Sequence, residues 1–251
     1  MNTIEYITLP WDVLGIGALW LILMAFFVAL PCSQMGSFLI LRRMALTGDA
    51  ISHSVFPGVV IAFYITGDLS SPWLIVGAGL AGLASTVIIE LIHKWTRVKQ
   101  DAATGISFTA LFALGVLLME LLLGKNVDLD LECVLHGRLG LLLEDDRLAL
   151  FGLMVPAPVL VMAGVALVTM VLLFFFCRVM MLSSFDADLA ASFGYRPAVI
   201  HYGMMFVVSF IVVAAFQAVG AILVIALLIL PGAAAYLCSY RLKVMLLIAS
   251  L

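Results

Sequence analysis

Charge is what this 251-residue sequence has least of. Asp, Glu, Lys and Arg make up 11% of it and hydrophobic residues 65%, where an ordinary soluble domain carries roughly 25% charged residues. With a mean hydropathy of +1.27, the composition excludes a water-soluble globule and requires a polytopic membrane protein. Runs of Lys and Arg are missing and the net charge is -3, so nucleic acid is excluded as a partner. Cysteine is sparse: Cys32, Cys133, Cys177 and Cys238 lie far apart, which suggests neither a disulfide framework nor a Cys-rich zinc site and leaves them as small buried hydrophobes. No G-x-x-x-x-G-K-[ST] loop occurs, so the chain cannot cradle ATP phosphates in that manner, and no H-E-x-x-H pattern supports a metalloprotease. The opening "MNTIEYITLPWD" lacks the basic leader and cleavage site of a secretory signal, and the first apolar run is expected to be a retained span.

What is abundant is apolar sequence in lengths that cross a bilayer. A hydrocarbon core about 30 Å thick needs roughly 20 helical residues, and seven stretches qualify, at about 14–40, 45–66, 72–92, 103–123, 151–176, 199–215 and 217–238. Pro31 is expected to break the first, and the Gly and Ser of "PCSQMGSF" to mark close helix contact. "FQAV" must hold a tight turn or a broken helix between the last two, and "VMLLIASL" starts an eighth run too short to cross. The expected fold is therefore all-α, a single bundle of 7 to 8 spans over 1–251. Arg42 and Arg43, Lys94 with Arg97 and Lys99, Arg178 and Arg196, and Arg241 with Lys243 fall in every second loop. Short basic loops stay in the cytoplasm, so the N-terminus and the acidic loop at 125–150 lie outside. The part of that loop reading "LECVLHGRLGLLL" is expected as an interfacial amphipathic helix.

Ionisable residues inside spans are costly and usually line a polar path. Glu90, His93, Glu120 and His201 sit near span ends, where snorkelling or local pairing accounts for them. Asp49 and His53, in "TGDAISHSVFP", differ. Four residues apart, they share one helical face. At about 1.5 Å per residue they lie about 9 and 15 Å in from the boundary at Arg43. A carboxylate and a neutral imidazole suit a borderline divalent cation such as manganese, iron or zinc; a hydrogen-bonded structural pair is the competing reading, and spacing alone leaves both open. Gly48, Ser52, Ser54, Pro57 and Gly58 surround the pair with small residues and a helix breaker, as a pathway or close packing needs. Two ligands are too few for a selective site, so the metal reading requires more from a second copy or a paralogous subunit.

"GDAISHSVFPGVVIAF" closely resembles the signature of the ABC-3 family, the permease subunits of manganese, zinc and iron ABC importers. "KQDAATGISF", "FDADLAASFGYRP" and "VGAILVIALLILPGAAAYL" resemble further family segments in order and spacing. The resemblance implies a type II-like permease of the bacterial cytoplasmic membrane. It implies a metal pair at Asp49 and His53, and no catalytic residues or permanently bound cofactor. The partners it implies are ABC ATPase subunits inside, a metal-binding solute-binding protein outside, a second permease protomer and surrounding lipid. It places coupling to the ATPase on the segment 183–197, at Phe185, Asp186, Asp188, Leu189 and Gly194, and a gate or helix break at Pro57, Gly58 and Pro231. Pro57 and Ser52 lean toward the manganese branch. The segment 183–197 also reads on its own as a short helix capped by Ser183 or Ser184 and stopped by Gly194 and Pro197. Departures from the pattern are "LHGRLG" in the outer loop and an end at Leu251, short of the family's final spans. An ATP-independent transporter or channel is the alternative, and an intramembrane enzyme is disfavoured because Ser52 and His53 point apart on a helix.

Overall fold

The computed structural model describes residues 16–67, 72–123, 147–150, 153–239 and 241–250. The first helix, α1 (Ile16–Leu41), runs straight through Pro31, so the expected break is not there. Proline removes only the N–H that would reach the Phe27 carbonyl, and the packing of Val28, Cys32 and Met35 into the core holds the helix through it. The end of α1 is a Schellman turn. Arg43 takes the left-handed conformation with φ 59°, its N–H reaches the Ile40 carbonyl and that of Met44 reaches Leu39.

The second expected span is two helices, α2 (Ala45–Ser54) and α3 (Phe56–Thr66). Pro57 has no N–H to give the His53 carbonyl four residues back, and the interruption falls at Val55. The chain continues as α4 (Pro72–Trp95) and α5 (Gln100–Leu123). The amphipathic helix expected in the outer loop lies outside the described residues. Where a span was expected from residue 151, β1 (Arg147–Leu150) pairs antiparallel with β2 (Leu153–Pro156). Only then does α6 (Ala157–Phe185) begin. Apolar content cannot tell this hairpin from a helix, and Pro156 and Pro158 fix the helix start. A short α7 (Ala187–Ser192) leads to α8 (Pro197–Val219). Gly220 alone, at φ 84° and ψ 161°, separates α8 from α9 (Ala221–Cys238), and α10 (Leu242–Ala249) follows. Pro231 sits inside α9, which is continuous through it.

Among the described residues six helical segments, one of them α2 together with α3, are long and apolar enough to span a membrane, and α9 is a shorter apolar helix. At 18 residues and about 1.5 Å per residue it is about 27 Å long. α1 and α8 form the centre: Met24, Val28, Met35 and Phe38 from one meet Met205, Val208 and Ile211 from the other in one cluster. α1 also packs against α9 and α6, while α4 packs against α3, α5 and α8. Phe174 and Phe175 on α6 are exposed, as a lipid-facing surface requires. Of the cysteines described, Cys32 is buried, Cys177 half-buried and Cys238 exposed, so the last is not the core residue expected.

Candidate metal site

Asp49 and His53 both stand on α2, one turn apart. Asp49 Oδ1 faces His53 Nε2 at 3.5 Å, beyond the usual 2.7–3.2 Å of a nitrogen–oxygen hydrogen bond. The pair is therefore not spent on itself. Two ligands about 2.1 Å from a metal, at a tetrahedral angle, stand about 3.4 Å apart, so the spacing suits a cation held between them. Ser52 Oγ donates to the Asp49 carbonyl at 2.6 Å and stays off the carboxylate.

α5 walls the imidazole. Phe108 and Phe112, also one turn apart, place their ring centres 5.9 and 6.1 Å from that of His53, and Phe56 on α3 stacks on Phe112 at 5.7 Å. These aromatics restrict the imidazole on one side, while the His53 and Asp49 side chains keep 32% and 38% of their surface. Among the described residues no cluster of three or more His, Cys, Asp or Glu could hold a metal, so Asp49 and His53 are two candidate ligands with one open side. Gly58, just past the break, is pressed on the backbone of Gly77 and on Ala81 of α4; a Cβ has no room there, and this contact anchors α3.

Apart from Glu120, exposed near the far end of α5, the other ionisable residues singled out in the spans gather at the end of the bundle marked by the basic loops. Glu90 Oε1 lies 2.6 Å from Lys94 Nζ, and His93 Nδ1 is 3.0 Å from the Val98 carbonyl. Glu90, His93 and His201 line one cleft of about 230 Å³ with Met44, Thr47, Thr86 and Gln100. Thr47, two residues before Asp49 on α2, lines this cleft, while Asp49 and His53 lie outside its lining. Arg42, in the turn between α1 and α2, donates through Nε to Ser184 Oγ at 2.9 Å and through Nη2 to Ser183 Oγ at 3.1 Å; its Nη1 lies 3.2 Å from His201 Nδ1. Partial burial lowers the Arg42 pKa.

In the segment 183–197 the cap is Asp186, not Ser183 or Ser184. Its carboxylate accepts the Leu189 N–H at 2.9 Å, whereas both serines lie inside the last turn of α6, engaged by Arg42. Phe185, Asp186, Asp188, Leu189 and Gly194 are all exposed, and Gly194 ends the segment's turn at φ 85°. Residue reasoning missed Phe108, Phe112 and the reach of Arg42. The two phenylalanines carry the same four-residue spacing as Asp49 and His53, and that was the available signal; Arg42 carries none.

A bundle of membrane-spanning helices with a facing carboxylate and imidazole on an interrupted span is the architecture of a membrane transport protein. More particularly, the chain belongs to the ABC 3 transport family, whose model matches residues 18–251. It is 44% identical over 210 residues to the zinc transport system membrane protein TroD of Treponema pallidum, covering 84% of this chain and 57% of that protein. It is 38% identical to the manganese transport system membrane protein MntD of Bacillus subtilis, over 92% of this chain and 78% of the relative. It is 40% identical to the manganese transport system membrane protein MntC of Halalkalibacterium halodurans, over 90% of this chain and 71% of that protein. The fold matches PsaBC from Streptococcus pneumoniae, solved in complex with Fab, with a TM-score of 0.77 at 30% identity, over 99% of this chain and 82% of that one.

Proposed function

We propose that this chain is the permease subunit of an ATP-driven importer of divalent metal ions in the bacterial cytoplasmic membrane, with manganese as the favoured cargo. The facing of Asp49 Oδ1 and His53 Nε2 at 3.5 Å on the second span carries the reading. A carboxylate and an imidazole with open space beside them form half of a borderline-cation site, and a second protomer supplies the rest. The cargo is handed over outside by a metal-binding solute-binding protein, sheds water for these ligands, and leaves through the cleft lined by Thr47. ATP is hydrolysed by separate ATPase subunits that push on Phe185, Asp186, Asp188, Leu189 and Gly194. Pro57 and Gly58 serve as the gate, at the interruption beside Val55.

Manganese is supported by the manganese systems among the relatives. Zinc is a second reading, favoured by the relative named for zinc and by a ligand spacing that suits four-coordination. The test is uptake by proteoliposomes holding the whole complex, with manganese and zinc offered separately and in competition. Asp49→Asn and His53→Ala are expected to lower uptake by at least about tenfold, the scale of losing roughly 1.4 kcal/mol of binding. If both variants fold and transport like the unaltered protein, the pair is structural and the proposed site is wrong.

A further inference from the structure

We infer that Arg42 is a positioning residue that links the ATPase-facing segment to the helix carrying the metal pair; the inference rests on the transport reading above and adds the route of coupling. Its guanidinium reaches two elements besides its own. Nε and Nη2 donate to Ser184 and Ser183, in the last turn of α6, and Nη1 meets His201 Nδ1 in the first turns of α8. Those two helix ends flank the short helix α7 on either side. The guanidinium only donates, so His201 Nδ1 must accept and the ring proton belongs on Nε2. Both ends of the exposed segment are thereby tied to a single side chain.

That side chain sits where its displacement matters. Arg42 belongs to the turn that closes α1, held by Arg42 N–H to the Phe38 carbonyl and by the left-handed Arg43. Residue 45 begins α2, and Asp49 follows within its second turn. The same turn leads directly into α2, so force arriving through Arg42 passes to the helix that carries Asp49 and His53. A planar fork with three separate N–H directions can hold two hydroxyls and an imidazole together; a lysine ammonium on a flexible stem cannot hold the same arrangement. Coupling carried by such a contact is expected to be worth a fraction of the whole, because coupling energy is spread over many contacts.

The experiment uses the complete complex in proteoliposomes and measures manganese uptake and ATP hydrolysis on the same sample, with Arg42→Lys and, separately, the pair Ser183→Ala with Ser184→Ala. Both are expected to keep hydrolysing ATP while ions moved per ATP fall between about twofold and thirtyfold. An unchanged ratio in both overturns the inference. So does a parallel loss of uptake, hydrolysis and thermal stability, which marks a merely structural role. Where Arg42→Lys fails to assemble, the serine pair decides alone, since it leaves the arginine in place. Failure of the unaltered complex to import any divalent metal refutes the transport reading itself, and this inference with it; import by the unaltered complex with an unchanged variant ratio refutes only the link.

Discussion

Replacing Gly36 by alanine tests the packing on which the site stands. A Cβ at Gly36 collides with the Leu228 carbonyl oxygen of α9 and lies 2.7 Å from its carbon. Ordinary contact between carbon atoms is about 3.5–4.0 Å, and the oxygen overlaps more than the carbon, so the α1–α9 pair must part by more than about 1 Å, and what must move is backbone. Overpacking of this kind typically costs 1–3 kcal/mol. Near the upper end, at about 3 kcal/mol, a chain of this size loses about 6–12 °C of melting temperature. The disturbance also has a direction. Leu228, fully buried, presses through its Cδ2 on Gly48, the residue before Asp49, so displacing α9 disturbs α2 and metal uptake should fall along with stability. The assay is thermal unfolding of the purified protein in detergent, with uptake measured alongside. Gly164→Ala, at a position with nothing within 4 Å of its Cβ, is the control, and gaining a better helix former should not lower its melting temperature. Equal melting temperatures for Gly36→Ala and Gly164→Ala would refute the reasoning.

Asp186→Ala removes the side-chain cap of α7; the segment should lose about 1 kcal/mol of helix stability, read as faster protease cleavage between residues 186 and 196. Phe112→Ala takes away a ring that faces both His53 and Phe56, and metal affinity should fall by about tenfold, the scale of losing a group that orients a ligand, measured by calorimetry on the purified complex. Arg43→Gly relieves a left-handed non-glycine residue and should stabilise by about 1 kcal/mol; an unchanged or lower melting temperature would contradict the strain assigned to that turn.

Much of this was legible in the sequence because the bilayer imposes few rules and enforces them strongly. Apolar length gave the long helices, and the alternation of basic loops marked the end where Arg42, Lys94 and His201 gather. The four-residue spacing of Asp49 and His53 put them on one face, as the structure has them. What could not be read follows from interactions distant in sequence or from local choices that hydropathy ignores. The paired strands at 147–150 and 153–156 are as apolar as a helix, so their register emerges only on pairing. Prolines split the expectations: Pro57 leaves an interruption, whereas Pro31 and Pro231 are absorbed by continuous helices. Ser183 and Ser184 look like caps in sequence, but a guanidinium 141 and 142 residues away claims them, leaving Asp186 to cap.

The interruption at Val55 divides the second span into a part that is held and a part that carries the pair. α3 beyond the break is fastened to α4 through Gly58, while Asp49 and His53 both stand on α2 before it. If the pair binds metal as proposed, a swing at Val55 would carry carboxylate and imidazole together, as one jaw closing on whatever faces it.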